Sequence, residues 1–143
     1  MKLARYFPYI ISRVAAELGA LKSKALEDFD LNPRAWRVLV ALSENDGQRV
    51  TDLSRVSLTE ISTLSRLLDG MEEQGLVEKR RARPNARSVT VHITDAGRRM
   101  LEETIPEALR YEHSLLEGID HEDLAITRRV LNQFHENALL HKW

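Results

Sequence analysis

Ser62, Thr63, Ser65 and Arg66 are spaced to lie along the polar side of a helix whose other side is apolar. Ile61, Leu64, Leu67, Leu68 and Met71 make the apolar stripe. At about 100° per residue, Ser62, Arg66 and Asp69 fall opposite it, with Thr63 and Ser65 at its flanks. A helix facing only water usually carries long charged side chains in spaced ion pairs. Short hydroxyls instead let a backbone come close to bases and phosphates, and an arginine can grip a guanine edge with two hydrogen bonds. Shortly after this helix, Lys79, Arg80, Arg81, Arg83 and Arg87 crowd one segment that opens with the acid Glu78. Such a cluster repels itself unless a polyanion is present. Lys79 and Arg81 alternate with Arg80, so not all three can point the same way. Arg83 and Arg87, at the tip, are the expected minor-groove or phosphate contacts. The chemistry implied is recognition of double-stranded DNA.

The surrounding elements must hold that helix and that basic segment side by side. Helical periodicity starts near Pro8 and carries Ile11, Val14, Leu18, Leu21 and Leu26 to about Asp28. Asn32 and Pro33 form an N-cap and first-turn pair for a second helix bearing Trp36, Leu39, Val40 and Leu42, stopped by Asn45-Asp46-Gly47. Val50 reads as a minimal strand. Thr51-Asp52 opens a short third helix with Leu53 and Val56 toward the core. Ser57-Leu58-Thr59 is the turn into the fourth helix, Glu60 to about Gln74, closed by Gly75. Ser57 with Glu60 fits a capping box, and Thr59 fits an N-cap equally well. Val77 to Arg81 and Ser88 to Ile93 read as two strands of a hairpin turning at Arg83-Pro84-Asn85-Ala86. Thr94-Asp95-Ala96-Gly97 caps a long fifth helix to about Glu117, bent at Pro106, and Asp120 caps a sixth through Leu124, Val130, Leu131, Phe134 and Leu139. The fold class is mainly α (α+β), a winged helix-turn-helix with additional N- and C-terminal helices.

The 143 residues suit one domain, with 43% hydrophobic and 30% charged residues and only 6 Gly and 4 Pro. The chain has no cysteine, which excludes disulfides, thiolate metal sites and cysteine redox sensing. No apolar run reaches the roughly 18 to 20 residues of a membrane span. The N-terminus lacks a signal-like apolar segment, so a cytoplasmic protein with no membrane association is expected. A net charge of −1 rules out a uniformly basic surface, so any affinity for nucleic acid has to come from local clustering. No nucleophile elbow or phosphate-binding glycine loop is present, and His92, His113, His121, His135 and His141 include no pair at metal-ligand spacing. Neither catalysis nor a cofactor or metal is expected.

The runs Leu67-Leu-Asp-Gly-Met-Glu-Glu-Gln-Gly-Leu-Val-Glu-Lys-Arg80, Pro84-Asn-Ala-Arg-Ser-Val89 and Ile93-Thr-Asp-Ala-Gly97 resemble the MarR (multiple antibiotic resistance regulator) family of transcriptional regulators over nearly the whole chain. The resemblance places Ser65-Arg66 on the recognition helix and makes Arg87 the wing arginine. The family often has Asp-x-Arg at the wing tip where this chain has Asn85-Ala86-Arg87, so an amide replaces the carboxylate that would brace the arginine. It implies a homodimer paired through the first, fifth and sixth helices. A DNA-binding lobe would span about residues 30–100, flanked by dimerising segments of about 1–29 and 101–143. It also implies a cleft for an aromatic or anionic effector, for which Tyr9, Arg13, Trp36 and Arg37, with Tyr6 and Tyr111, are the candidate lining residues. Two recognition helices would then enter successive major grooves roughly 34 to 36 Å apart on an imperfect palindrome.

Other functions for the same fold remain open: a winged-helix protein-interaction module that does not bind DNA, an RNA-binding winged helix, or a small ligand-binding enzyme. A protein-interaction module should expose apolar residues at the tip of the fourth helix, where a DNA reader would keep an uncharged polar tip.

Overall fold

Asn32 starts the central helix as expected: its side-chain oxygen accepts the backbone N–H groups of Arg34 at 3.0 Å and Ala35 at 2.9 Å, and Pro33 follows in the first turn. The computed structural model describes residues 2–81 and 89–141, with the side chains of residues 21 and 22 also left aside. Within these, α1 is Phe7–Ala25, α2 Pro33–Glu44, β1 Gln48–Arg49, α3 Val50–Ser57, α4 Ile61–Glu73, β2 Val77–Arg81, β3 Val89–Ile93, α5 Asp95–Leu116 and α6 His121–Leu140. Single turns of 3-10 helix precede α1 and follow it. Two compact units divide the chain, residues 1–111 and 112–143.

The first unit has one core. Val38, Leu39 and Leu42 of α2, Leu53 of α3, Leu64, Leu68 and Met71 of α4, Val77, Val91 and Ile93 of the sheet and Leu101 of α5 are all buried together. The three-stranded antiparallel sheet runs β1-β3-β2, with Val77 opposite Ile93, Lys79 opposite Val91 and Arg81 opposite Val89. In β3, Val91 and Ile93 face the core while Thr90 and His92 do not.

Three local expectations are corrected. The short strand ends at Arg49, and Val50 begins α3. Val56 is half-exposed, because α3 is too short to bury more than the face carrying Leu53 and Ser57. Ile61 leaves the apolar stripe: burial on α4 begins only at Leu64, as the first turn extends past the core.

The Thr94-to-Gly97 motif has a packing reason. The Thr94 hydroxyl donates to the Gly75 carbonyl at 2.6 Å and accepts the Gly97 N–H at 3.1 Å, fixing the start of α5 to the turn after α4. A Cβ at Gly97 would stand 2.3 Å from the Leu76 carbonyl oxygen, so only glycine lets α5 approach this closely. α5 continues through Pro106 to Leu116.

The second unit contains the end of α5 and all of α6, a 20-residue helix with no buried residue. Asp120 caps it by accepting from the Glu122 N–H, and Arg128 pairs with Glu112 at 3.5 Å. Among the described residues, no helix is long and apolar enough to cross a membrane.

Candidate nucleic-acid interface

The turn between α3 and α4 is tied down by hydrogen bonds within the backbone and from short side chains. Leu58 N–H donates to the Arg55 carbonyl at 3.3 Å, and Thr59 N–H to the Ser54 carbonyl at 3.1 Å. The Ser54 hydroxyl donates to the Thr59 carbonyl at 2.7 Å. Arg37 reaches across from α2, its Nε donating to the Ser57 carbonyl at 3.0 Å. Burial, then repulsion by Arg34, lowers the Arg37 guanidinium below its ordinary value, although it stays charged.

Neither expected cap of α4 forms. The N-cap position is Glu60, whose side chain accepts no N–H of the helix. Thr59 Oγ1 instead donates to the Ser57 carbonyl at 3.0 Å, and the buried Ser57 hydroxyl has no partner among the described residues. The first amides of α4 therefore keep their donors and the positive end of the helix dipole for an outside acceptor.

α4 presents Ser62, Thr63, Ser65 and Arg66 to solvent, with Leu64 and Leu68 buried on the reverse side. The sequence reading of this face holds for the hydroxyls and the arginine. What periodicity misses is apolar. Leu58 in the turn is 77% exposed, and Val56 at the end of α3 and Ile61 in the first turn of α4 are each 52% exposed, where the sequence leads one to expect an uncharged polar tip. A period of 3.6 residues assigns Ile61 to the stripe without registering that the core stops short of it.

The charge cluster on β2 is less self-repelling than the sequence implies. Lys79 Nζ is held by the Asp69 carboxylate, and by Glu72 at 3.0 Å, while the Lys79 N–H donates to Glu72 Oε1 at 2.8 Å. The Asp69 contact, and then those with Glu72, raise Lys79 above the usual lysine range despite its partial burial. Glu72 is correspondingly lowered, first by the Lys79 N–H and then by its ammonium. Arg80 forms a two-point pair with Glu78, both bonds 3.0 Å. Acids spaced along α4 and β2 thus neutralise Lys79 and Arg80, and Arg81 is the exposed cation at the described end of β2. Arg83, Arg87 and the Arg83-to-Ala86 turn lie outside the described residues, as does Ser88.

At the base of the hairpin, Asp46 Oδ1 accepts the Ile93 N–H at 2.8 Å, and its other oxygen is 3.2 Å from His92 Nδ1. Burial alone would raise the Asp46 carboxyl. The bonds from Ile93, His92 and the Gly47 N–H outweigh it and hold the carboxyl below the usual range. Trp36 Nε1 donates to the buried Thr104 hydroxyl at 3.2 Å, joining α2 to α5, and Tyr111 donates to the Leu18 carbonyl at 3.0 Å. Trp36 and Arg37 therefore both have structural partners, while Tyr9 and Arg13 are exposed on α1. Among the described residues, no three His, Asp or Glu side chains gather as a metal site would require.

A helix-turn-helix followed by a basic two-stranded wing defines a winged-helix protein. Residues 29–88 match the model of the MarR family, and the chain belongs to that family. A repressor from Pseudomonas putida, IacR, is 30% identical over 97 residues, 67% of this chain and 58% of its own length. A MarR family regulator from Silicibacter pomeroyi superposes with a TM-score of 0.84 at 29% identity, over 99% of this chain and 96% of that one. CouR from Rhodococcus jostii RHA1, solved with p-coumaroyl-CoA, shares the fold with a TM-score of 0.83 at 24% identity, over 94% of each chain. The repressor CouR has also been solved on a 23-mer DNA duplex, and that structure shares the fold with a TM-score of 0.84 at 22% identity, over 93% of this chain and 94% of that one.

Proposed function

We propose that the protein is a transcriptional regulator that binds double-stranded DNA in a sequence-specific manner as a homodimer, acts as a repressor, and responds to a small effector. The observation that carries this reading is the exposed face of α4, where Ser62, Thr63, Ser65 and Arg66 stand beside uncapped helix amides. Serine, threonine and arginine reach base edges, and the helix N-terminus takes a phosphate. Arg66 makes no ion pair among the described residues, so it is available to a guanine. Arg81, Arg83 and Arg87 would anchor the wing on the backbone or in the minor groove.

Dimerisation is supported by surface that a lone chain leaves uncovered. On α6, Ile126, Val130, Leu131, Phe134, Leu139 and Leu140 are exposed, and α1 exposes Phe7, Val14 and Leu18. A helix of this length gains its stability chiefly from packing an apolar face, and no residue of α6 is buried within the chain. Residues of about 30–100 form the DNA-binding lobe, and about 1–29 and 101–143 pair with a second copy. The effector is an aromatic or anionic molecule taken by Tyr9, Arg13, Trp36 and Arg37. The relative CouR, found with both a DNA duplex and p-coumaroyl-CoA, supports this kind of coupling. The protein acts in the cytoplasm and is not an enzyme.

Exposed apolar side chains near the tip of α4 are the feature a protein-interaction module would show, and they keep that second reading in play. Titrating duplex binding against salt separates the two. Phosphate contacts make log affinity fall linearly with log salt, by about 0.9 per contact, whereas docking of an apolar face responds weakly. A shallow slope overturns the DNA reading.

A further inference from the structure

Leu58 breaks two local rules at once. In the α3–α4 turn it is 77% exposed, and its backbone is left-handed, at φ 53° and ψ 44°. A Cβ disfavours that conformation, which glycine adopts freely and asparagine tolerates. The hydrogen bonds that impose it run between Leu58 N–H and Arg55, between Ser54 and Thr59, and from Arg37 to Ser57. None of them uses the leucine side chain. Glycine would satisfy every one with less strain, so the turn itself does not account for a leucine. A large apolar group held in a strained conformation and offered to water points to a contact made outside the chain.

Ile61, the first residue of α4 and three positions on from Leu58, is also apolar and exposed. It lies one turn ahead of Ser65 on the same side of the helix, as Ser62 lies one turn ahead of Arg66. The apolar pair is thus continuous with the hydroxyl and arginine face. Arg66 bounds this run on α4 and is exposed without an ion pair among the described residues, while Arg55 at its other end pairs with Asp52 at 4.0 Å and Glu60 lies between them. Position on the same helix face as the hydroxyls and the unpaired Arg66, which suit a polyanion, favours DNA over an apolar protein surface. In the major groove, the apolar group on a base edge is the 5-methyl of thymine.

We propose that Leu58 and Ile61 read thymine, docking on 5-methyl groups in the major groove beside the bases reached by Ser62, Ser65 and Arg66. This rests on the DNA-binding reading above and adds a specificity that hydrogen bonds do not supply.

The test uses the full chain and a duplex it selects from a random pool. Each thymine of the half-site is replaced in turn by deoxyuridine, which pairs identically but lacks the methyl. Affinity is expected to fall about fourfold per contacted methyl, the size expected for exposing one buried methyl group. At those positions Leu58→Gly and Ile61→Ser proteins should lose nothing further on uracil substitution. Leu58→Gly should also melt at the parent temperature or above it, since it relieves the left-handed strain, and Leu58→Asn serves as a second variant that accepts the same backbone. A flat uracil scan, or variants that keep the parent's affinity and its full uracil response, overturns the proposal and assigns the apolar pair to a partner other than DNA. If the parent selects and binds no duplex at all, the DNA-binding reading fails together with this one. Salt-dependent binding with a flat uracil scan removes only the thymine contact.

Discussion

Arg66 and Leu58 stand at opposite ends of what a residue type can disclose. Arg66 is exposed one helical turn beyond Ser62 on a helix buried through Leu64 and Leu68, the setting for a bidentate grip on guanine. Replacing it with alanine should cost about 1–3 kcal/mol on the operator, roughly a five- to 150-fold loss, and change binding to unrelated duplexes little. Fluorescence anisotropy on matched and scrambled duplexes measures both, and equal losses on the two would show that Arg66 holds phosphate instead. The hydroxyls and Arg66 are legible in the sequence because helical period alone assigns them to the outer face. Leu58 and Ile61 are not. A left-handed turn residue is set by hydrogen bonds from Ser54, Arg37 and the backbone, and the exposure of Ile61 depends on where the core ends. Neither is encoded in periodicity.

At the level of elements, the wing is fastened to α4 by Lys79, and to the turn after α2 by Asp46. Counting cations misjudges the first of these. By sequence Lys79 belongs to a self-repelling cluster, whereas the acids that neutralise it, Asp69 and Glu72, lie on α4 a helical turn apart. Strand alternation is enough to find the hairpin, but only the packed fold brings α4 beside β2. Lys79→Met should therefore leave the salt dependence of DNA binding unchanged while weakening affinity by loosening the wing. Arg81→Ala should flatten the slope by about 0.9 for each phosphate that Arg81 grips. A flatter slope for Lys79→Met would show that this lysine, too, grips a phosphate. Asp46 gives a pH signature. Its folded carboxyl lies below its unfolded value, so the stability it contributes is complete above the ordinary aspartate range, near about pH 4. That contribution is lost as pH falls through the lowered folded value. In Asp46→Asn, the urea midpoint should change less than the parent's between about pH 5 and about pH 3; parallel curves would remove Asp46 as a contributor.

For the molecule as a whole, the winged-helix lobe is legible in the sequence almost throughout, because caps such as Asn32 and Thr94 and the breakers Gly47 and Gly75 punctuate it. The terminal helices are legible as helices, while their purpose rests on the apolar residues they leave uncovered. A homodimer accounts for α6 with its exposed Val130, Leu131 and Phe134. Val130→Asp should shift the protein from dimer to monomer in light scattering and weaken binding to a palindrome far more than binding to a half-site. Retention of the dimer would place the interface elsewhere.

A two-fold DNA reader built on α4 and the wing is tested most directly by protection mapping on duplexes the protein selects from a random pool. Such a reader should select a shared sequence with two related half-sites, protected in blocks whose centres lie about 10 base pairs apart, or a multiple of that spacing. Selected duplexes with no common sequence, or a single protected block without a two-fold counterpart, would contradict it.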